Sequence, residues 1–268
     1  MEYENLTFER RGEDGRIALV TLNRPEKLNA LSRGLQEDTR AACAEVGADD
    51  SIRAMVVTGA GRGFCSGADL TGPRVERDGV PPQNERLDEM GWVGKQALAF
   101  YNLDKPTIAA VNGVAAGAGM SLSLACDMRV GSEHSRFRAM FVERSLSPDS
   151  GMSFFLPNII GYSRAFDLIT TARGVDADEA HRIGLLDRLV AADDLVDEAV
   201  TLADQIAFWP PMAIRSAKRT IQRNLSVTLE QALLNERLGL ITSRIAPHDA
   251  KESGLSFREK RPPKFTGE

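Results

Sequence analysis

The stretch IAAVNGVAAGAGMSLSLACD, Ile108 to Asp127, carries no charged side chain until its last residue, and Ala115 to Gly119 are all small. Two kinds of chemistry fit so bare a run. It could be core, because small residues let backbones approach closely. Alternatively its backbone N–H groups could themselves be the reactive apparatus, left open to a ligand by the small side chains.

The glycine-rich segments invite a phosphate reading, which the spacing rejects. GAGRGFCSGAD begins like a dinucleotide loop, but Phe64 stands where GxGxxG requires its last glycine, and in GAGMSL that place is taken by Leu122. Neither loop continues into GK[ST], so nicotinamide and ATP chemistry are disfavoured. His134, His181 and His248 lie far apart without metal-ligand spacing, and no metal is expected. Ser66 sits in CSGAD rather than the GxSxG elbow of an α/β-hydrolase. Cys126 reads as a small core residue. With Cys43 and Cys65 it makes an odd set of three without a CxxC pair. That argues against a disulfide framework or a zinc site and suits a reducing cytoplasm.

The elements that must carry these loops read as α/β. The 268 residues suffice for one large domain. The net charge of −5 supplies no basic field for nucleic acid, and no apolar run reaches membrane-span length. The polar, acid-bearing start MEYENLTFERRGEDGR resembles neither a signal peptide nor a mitochondrial presequence. RIALVTL predicts a strand over Arg16–Leu22, stopped by Pro25. Ser32 is placed to cap a helix over GLQEDTRAACAEVG. Further strands are expected at IRAMVVTGAG, TIAAVNG and MRVGSE, with a helix ending near Leu103. Residues 71–84, rich in proline and charge, read as a surface insertion. Strands alternating with helices argue α/β. From Asp176 the chain turns nearly all helical: Leu195, Ala199, Leu202 and Ile206 step by four, three and four onto one face. Pro210 and Pro211 suit a helix start, and residues 227–256 hold one or two more helices.

LNRPEKLNALS (22–32), GRGFCSGADL (61–70), AAVNGVAAGAGMSLSLACD (109–127) and FREKRPPKFTGE (257–268) stand in order along the chain. Together they resemble the crotonase superfamily, the enoyl-CoA hydratases and isomerases, over essentially the whole length. The resemblance implies a crotonase-like spiral of ββα turns over residues 1–190. A helical C-terminal region used in trimerisation follows over 191–268, giving a homotrimer or a hexamer of two trimers. It implies an acyl-CoA thioester as substrate, with CoA entering as part of that substrate and no other cofactor. It also implies that two backbone amides, here Ala68 and Ala118, hold the thioester oxygen. Ala118 stands where the family usually has glycine, at the first turn of a helix whose orphan N–H groups favour a developing enolate. CoA would run along Lys27, Leu28 and Ala30 and along Ser66, Asp69 and Leu70, with Lys27 near a phosphate. Phe257, Lys260 and Phe265 match positions near the CoA of the same or a neighbouring subunit; otherwise the tail is a solvated basic end. Asp69 itself is expected to fix its loop by hydrogen bonds, and the segment 71–95 to line the acyl side.

Enoyl-CoA hydration needs one carboxylate to activate water and a second acid to protonate the α-carbon. The two glutamates that family hydratases use fall at Ser121 and Phe141 in this chain, and neither supplies a carboxylate. Asp149, in LSPDSG, follows a proline and precedes a flexible turn. Family members that shift a double bond carry an acid there, and one carboxylate suffices to take a proton from one carbon and return it to another. Phe141 would then keep the pocket dry. Two alternatives stay open: Asp149 caps a helix beginning near Ser150, or Glu143, facing the same side as Phe141 in an extended segment, is the base. The expected activity is enoyl-CoA isomerisation through a thioester enolate. A hydratase or dehydratase with a non-standard acid, or a non-catalytic acyl-CoA-binding protein, is the alternative.

Overall fold

A computed structural model describes residues 2–71 and 82–268. Most of the expected insertion at 71–84 therefore lies outside the described residues. The elements run β1 Leu6–Arg11, β2 Ile17–Leu22, α1 Arg33–Ala48, β3 Ala54–Gly59, β4 Gly63–Cys65, α2 Gln83–Arg86 and α3 Gly91–Tyr101. They continue with β5 Thr107–Val111, β6 Val114–Ala116, α4 Ala118–Ala125, β7 Met128–Ser132, β8 Arg136–Arg138, α5 Met152–Ile160, α6 Tyr162–Thr171, α7 Ala177–Arg182 and β9 Arg188–Val190. The chain closes with α8 Leu195–Ala207, α9 Pro211–Arg223, α10 Leu229–Ser243 and α11 Pro247–Glu259.

The long sheet runs β1-β2-β3-β5-β7-β9, antiparallel at the β1–β2 hairpin and parallel thereafter. Its central strands are apolar on both faces, as a sheet covered twice requires. Ile17, Leu19, Ala54, Val56, Ile108, Ala110 and Val130 point to one side, where Leu195, Ala199, Leu202, Ala203 and Ala207 of α8 cover them. The alternate residues Ala18, Val20, Met55, Val57, Ala109 and Val111 point into the main core with Leu35 of α1, Phe100 of α3 and Met120 of α4. The helical spacing read for α8 thus marks the face it buries, with Ile206 partly buried at its edge.

The short strands β4, β6 and β8 form a second parallel sheet. The chain passes three times from a long-sheet strand to a short-sheet strand and on towards a helix: β3–β4, β5–β6–α4 and β7–β8. This is the ββα spiral, and it brings the ends of β4, β6 and β8 side by side. Gly119 permits the closeness, because a Cβ there would stand 2.1 Å from the carbonyl oxygen of Cys65. The core reading of the small-residue run is therefore correct for Gly119. The helix start at Ser32 is as expected, its hydroxyl accepting from Leu35 N at 3.2 Å, a cap worth about 1 kcal/mol. Pro211 opens α9, which is pinned to the sheet by Lys218 Nζ on Asp127 Oδ2 at 2.7 Å. Among the described residues no helix is long and apolar enough to cross a membrane.

Candidate active site

Two loops are laced together at one end of the short sheet. In the first, Leu31 N donates to Gly67 O at 2.7 Å, and Asp69 N returns a bond to Leu31 O at 3.3 Å. Ser66 N donates to Leu28 O at 2.9 Å and Ser66 Oγ to Lys27 O at 3.2 Å. The expected CoA-side residues Lys27, Leu28 and Ala30 are thus brought against Ser66, Asp69 and Leu70. Lys27 is exposed, its ammonium 3.4 Å from Thr71 Oγ1. Asp69 fixes the loop as expected. Its carboxylate accepts from Thr71 N and Oγ1 at 2.9 and 2.8 Å and pairs with Arg24 at 2.9 Å. The Thr71 hydrogen bonds, with the Arg24 charge behind them, hold its carboxyl down at about 2. Asn29, not singled out from the sequence, is fully buried: its amide donates to Ala60 O and Gly63 O at 3.0 and 2.8 Å, and its Oδ1 accepts from Arg24 N.

The second loop leads into α4. Gly117 adopts φ 50°, ψ −124° at the helix start and donates to Arg138 O at 2.9 Å. Positive φ suits a residue without Cβ. The first helical bond is Ser121 N to Gly117 O, so the amides just before it have no partner within the helix. Among the described residues, the amides of Ala68 and Ala118 donate to no protein acceptor. They stand close together: a Cβ built on Gly67, the residue before Ala68, would lie 3.6 Å from Ala118 N. Two unspent N–H groups, one at the positive end of a helix, form a site for an oxygen that gains negative charge.

These amides share a pocket of about 100 Å³. Ser66, Gly67, Ala68 and Leu70 line it from one loop, and Gly117 and Ala118 from the other; Met140, Phe141, Arg144, Leu146 and Asp149 come from the segment after β8 and Trp92 from α3. Trp92 lies in the stretch expected on the acyl side. Met140, Leu146 and Arg144 carried no motif signal. Larger hollows, about 210 Å³ beside Arg53 and Trp209 and about 640 Å³ between α1 and α3, are not lined by the two amide-bearing residues.

Asp149 is exposed on the pocket wall, and its Oδ1 accepts from Ser150 Oγ at 2.8 Å. The alternative that its side chain caps a helix near Ser150 is corrected. The helix starts at Met152 behind Gly151 (φ 84°), and Met152 N bonds to the backbone oxygen of Asp149, leaving the carboxylate free of that duty. The alternative placing of Glu143 is corrected too. Residues Val142–Arg144 form a 3₁₀ turn rather than an extended segment, so Glu143 turns away from Phe141 and pairs with Arg138. Phe141 is buried and lines the pocket. Ser121 is buried behind it, its hydroxyl 3.4 Å from the Asp149 carbonyl oxygen. Cys65, next to Ser66, is fully buried, and burial pushes its thiol up to about 12, which fits a core residue.

The tail does not line this pocket within one chain. Phe257 is exposed, Lys260 ends α11 at φ 52°, and Phe265 is half-buried with its carbonyl on Arg53. Nor is the tail a free solvated end. Thr266 N and Gly267 N donate to the Asp249 carboxylate at 2.8 and 3.0 Å, and Glu268 O accepts from His248 N at 2.8 Å.

A ββα spiral with two unspent amides beside a carboxylate defines an acyl-thioester enzyme of the crotonase fold. Residues 12–268 match the enoyl-CoA hydratase/isomerase family, and the chain belongs to it. A relative from Rhizobium meliloti named "Probable enoyl-CoA hydratase" is 38% identical over 267 residues, 99% of each chain. The 1,2-epoxyphenylacetyl-CoA isomerase of Escherichia coli is 35% identical over 260 residues, 94% of this chain and 95% of that one. The crystal structure of an enoyl-CoA hydratase from Bacillus anthracis superposes with a TM-score of 0.89 at 32% identity, covering 99% of this chain and 100% of that one.

Proposed function

We propose that this family member shifts a carbon–carbon double bond in an acyl-CoA by moving one proton. The thioester carbonyl sits between the Ala68 and Ala118 amides. Asp149 takes a proton from the carbon chain, the electrons pass into the carbonyl, and the enolate oxygen is held by both N–H groups. The carboxyl group then returns the proton to a second carbon, and the double bond has moved. Each amide contributes about 3 kcal/mol of transition-state stabilisation. Nothing in this cycle calls for a cofactor beyond the CoA of the substrate. CoA follows the laced loops at Lys27, Leu28, Ala30 and Ser66, and on assembly Phe257, Lys260 and Phe265 approach the CoA of a neighbouring subunit. The three cysteines, all free and buried, suit a reducing cytoplasm.

The observation that carries the reading is Asp149, the one carboxylate among the described residues on the wall of the pocket that holds both amides, where Ser121 and Phe141 supply none. The names of several relatives favour a second reading, a hydratase or dehydratase in which Asp149 serves water addition alone. Incubation with 2-enoyl-, 3-enoyl- and 3-hydroxyacyl-CoA separates the two. Interconversion of the first two without 3-hydroxyacyl-CoA supports isomerisation, and formation of 3-hydroxyacyl-CoA from the 2-enoyl substrate supports hydration.

A further inference from the structure

Arg144 is the cationic residue among the described residues lining the pocket, and Asp149 the anionic one. Other arginines near these loops are committed to acids: Arg24 to Asp69 at 2.9 Å, and Arg138 to Glu143. Glu143, the acid next to Arg144 in sequence, is therefore already engaged. The backbone N–H of Arg144 donates to Phe141 O at 3.0 Å, which ties the turn. Among the described residues its guanidinium has no ion pair or hydrogen bond, and none joins it to Asp149.

At its open rim the pocket thus carries one exposed, unspent cation beside Leu70, Trp92, Met140, Phe141 and Leu146. That combination is poor for a plain hydrocarbon chain, whose methyl end would meet a hydrated guanidinium. It suits a short chain whose far end is a carboxylate, because the guanidinium stays charged and its planar fork matches two carboxylate oxygens. We propose that Arg144 selects acyl-CoA thioesters whose short acyl chain ends in a carboxylate. This rests on the reading that the pocket holds the acyl end of the substrate, and it does not depend on which group moves the proton.

The test is calorimetric binding of glutaryl-CoA, valeryl-CoA and CoA alone to the wild-type protein, Arg144→Met and Arg144→Lys. Glutaryl-CoA should bind wild type about 2–5-fold more tightly than valeryl-CoA, the range for an ion pair to an exposed guanidinium. The ratio should collapse towards unity in Arg144→Met, recover in part in Arg144→Lys, and shrink as salt is raised. Equal binding of the two thioesters to wild type, or a ratio untouched by Arg144→Met, overturns the proposal. So does an equal loss for CoA alone, which would place Arg144 on a CoA phosphate. The kcat/KM values for glutaconyl-CoA and 2-pentenoyl-CoA should follow the same ratio. If neither is turned over while the binding ratio persists, the proton-transfer reading fails and the role of Arg144 stands.

Discussion

Replacing Asp149 by Asn tests the proposed base with little disturbance to the fold. Asn keeps the side-chain shape, and its Oδ1 can still accept from Ser150 Oγ, now 2.8 Å from the carboxylate. The start of α5 is held by the backbone oxygen of Asp149, which the substitution leaves in place. The side chain is exposed, so stability should stay within about 0.5 kcal/mol and Tm within about 2 °C. Affinity for acyl-CoA should be retained, because the amides of Ala68 and Ala118 are unchanged. What Asn cannot do is take up the proton. Loss of a general base costs about 10²–10⁴-fold, or roughly 3–5 kcal/mol on the barrier, and it should fall on kcat. The assay follows the conjugated 2-enoyl thioester by absorbance as it forms from the 3-enoyl substrate, with deuterium uptake from solvent as a second readout. Glu143→Gln is the paired control and should remain active, since that carboxylate faces Arg138. Ser121→Ala and Phe141→Leu should retain the proton-transfer step. Full turnover by Asp149→Asn beside a dead Glu143→Gln would show that the base was misassigned; activity in both would mean that another group carries the proton.

Three further outcomes are expected. Ala118→Pro removes one oxyanion donor at the first helical position, where proline is tolerated; kcat/KM should drop by about 10²-fold or more while circular dichroism is unchanged, and retained activity would remove Ala118 from the hole. Asp69 is held below its ordinary value, so its contribution to stability is present above the unfolded value of 3.8 and is lost as pH falls through about 2; the urea midpoint gap between wild type and Asp69→Asn should be constant above about pH 4 and close towards pH 2, and a pH-independent gap would refute this. The helix α10 has no buried residue, although Leu229, Leu233, Leu234, Leu238 and Leu240 are each at least half exposed; light scattering should therefore find a trimer-based oligomer assembled through residues beyond Asp176, and a clean monomer would contradict it.

Some of this architecture is legible in the sequence for physical reasons, and some is hidden for equally physical ones. The buried strands β2, β3 and β5 read as mostly apolar runs because both faces are covered, and α8 shows its stripe because one face meets the sheet. The edge strand β1 is missed because Leu6 alone of its residues is buried, and charges on an exposed edge read as a polar start. The three strands of the short sheet span three residues each, too short for a periodicity to develop. The strand β9 lies within a stretch read as nearly all helix, its three residues only half-buried. In the site, Asp69 is legible because a short acid in a turn bonds locally. The facing of Glu143 is misread because side-chain direction depends on the backbone, and the 3₁₀ turn after Phe141 reverses what extended geometry implies. Arg144 escapes notice for the same reason: three residues along a tight turn return it to the side of Phe141, so both line the pocket.

The opening alternatives for the small-residue run are not exclusive, and the geometry explains why one stretch serves both. Gly119 must be small because the carbonyl of Cys65 occupies the space of its Cβ, and that contact packs the start of α4 against β4. The same packing brings the Ala118 amide beside the loop that carries Ala68. Backbone donors placed in this way constrain little about the side chains one turn further on. At Ser121 that freedom is bounded by the neighbouring loop. Its hydroxyl lies 3.4 Å from the Asp149 carbonyl oxygen in a buried position, so a longer acid at residue 121 would have to displace the 148–150 loop. The residue at 121 therefore touches the backbone that carries Asp149, and its size bears on where that loop sits. On the proposed reading, moving a proton needs only the acid at 149, whereas the two-acid route to water addition would need carboxylates at 121 and 141, and the same oxyanion hole serves either chemistry.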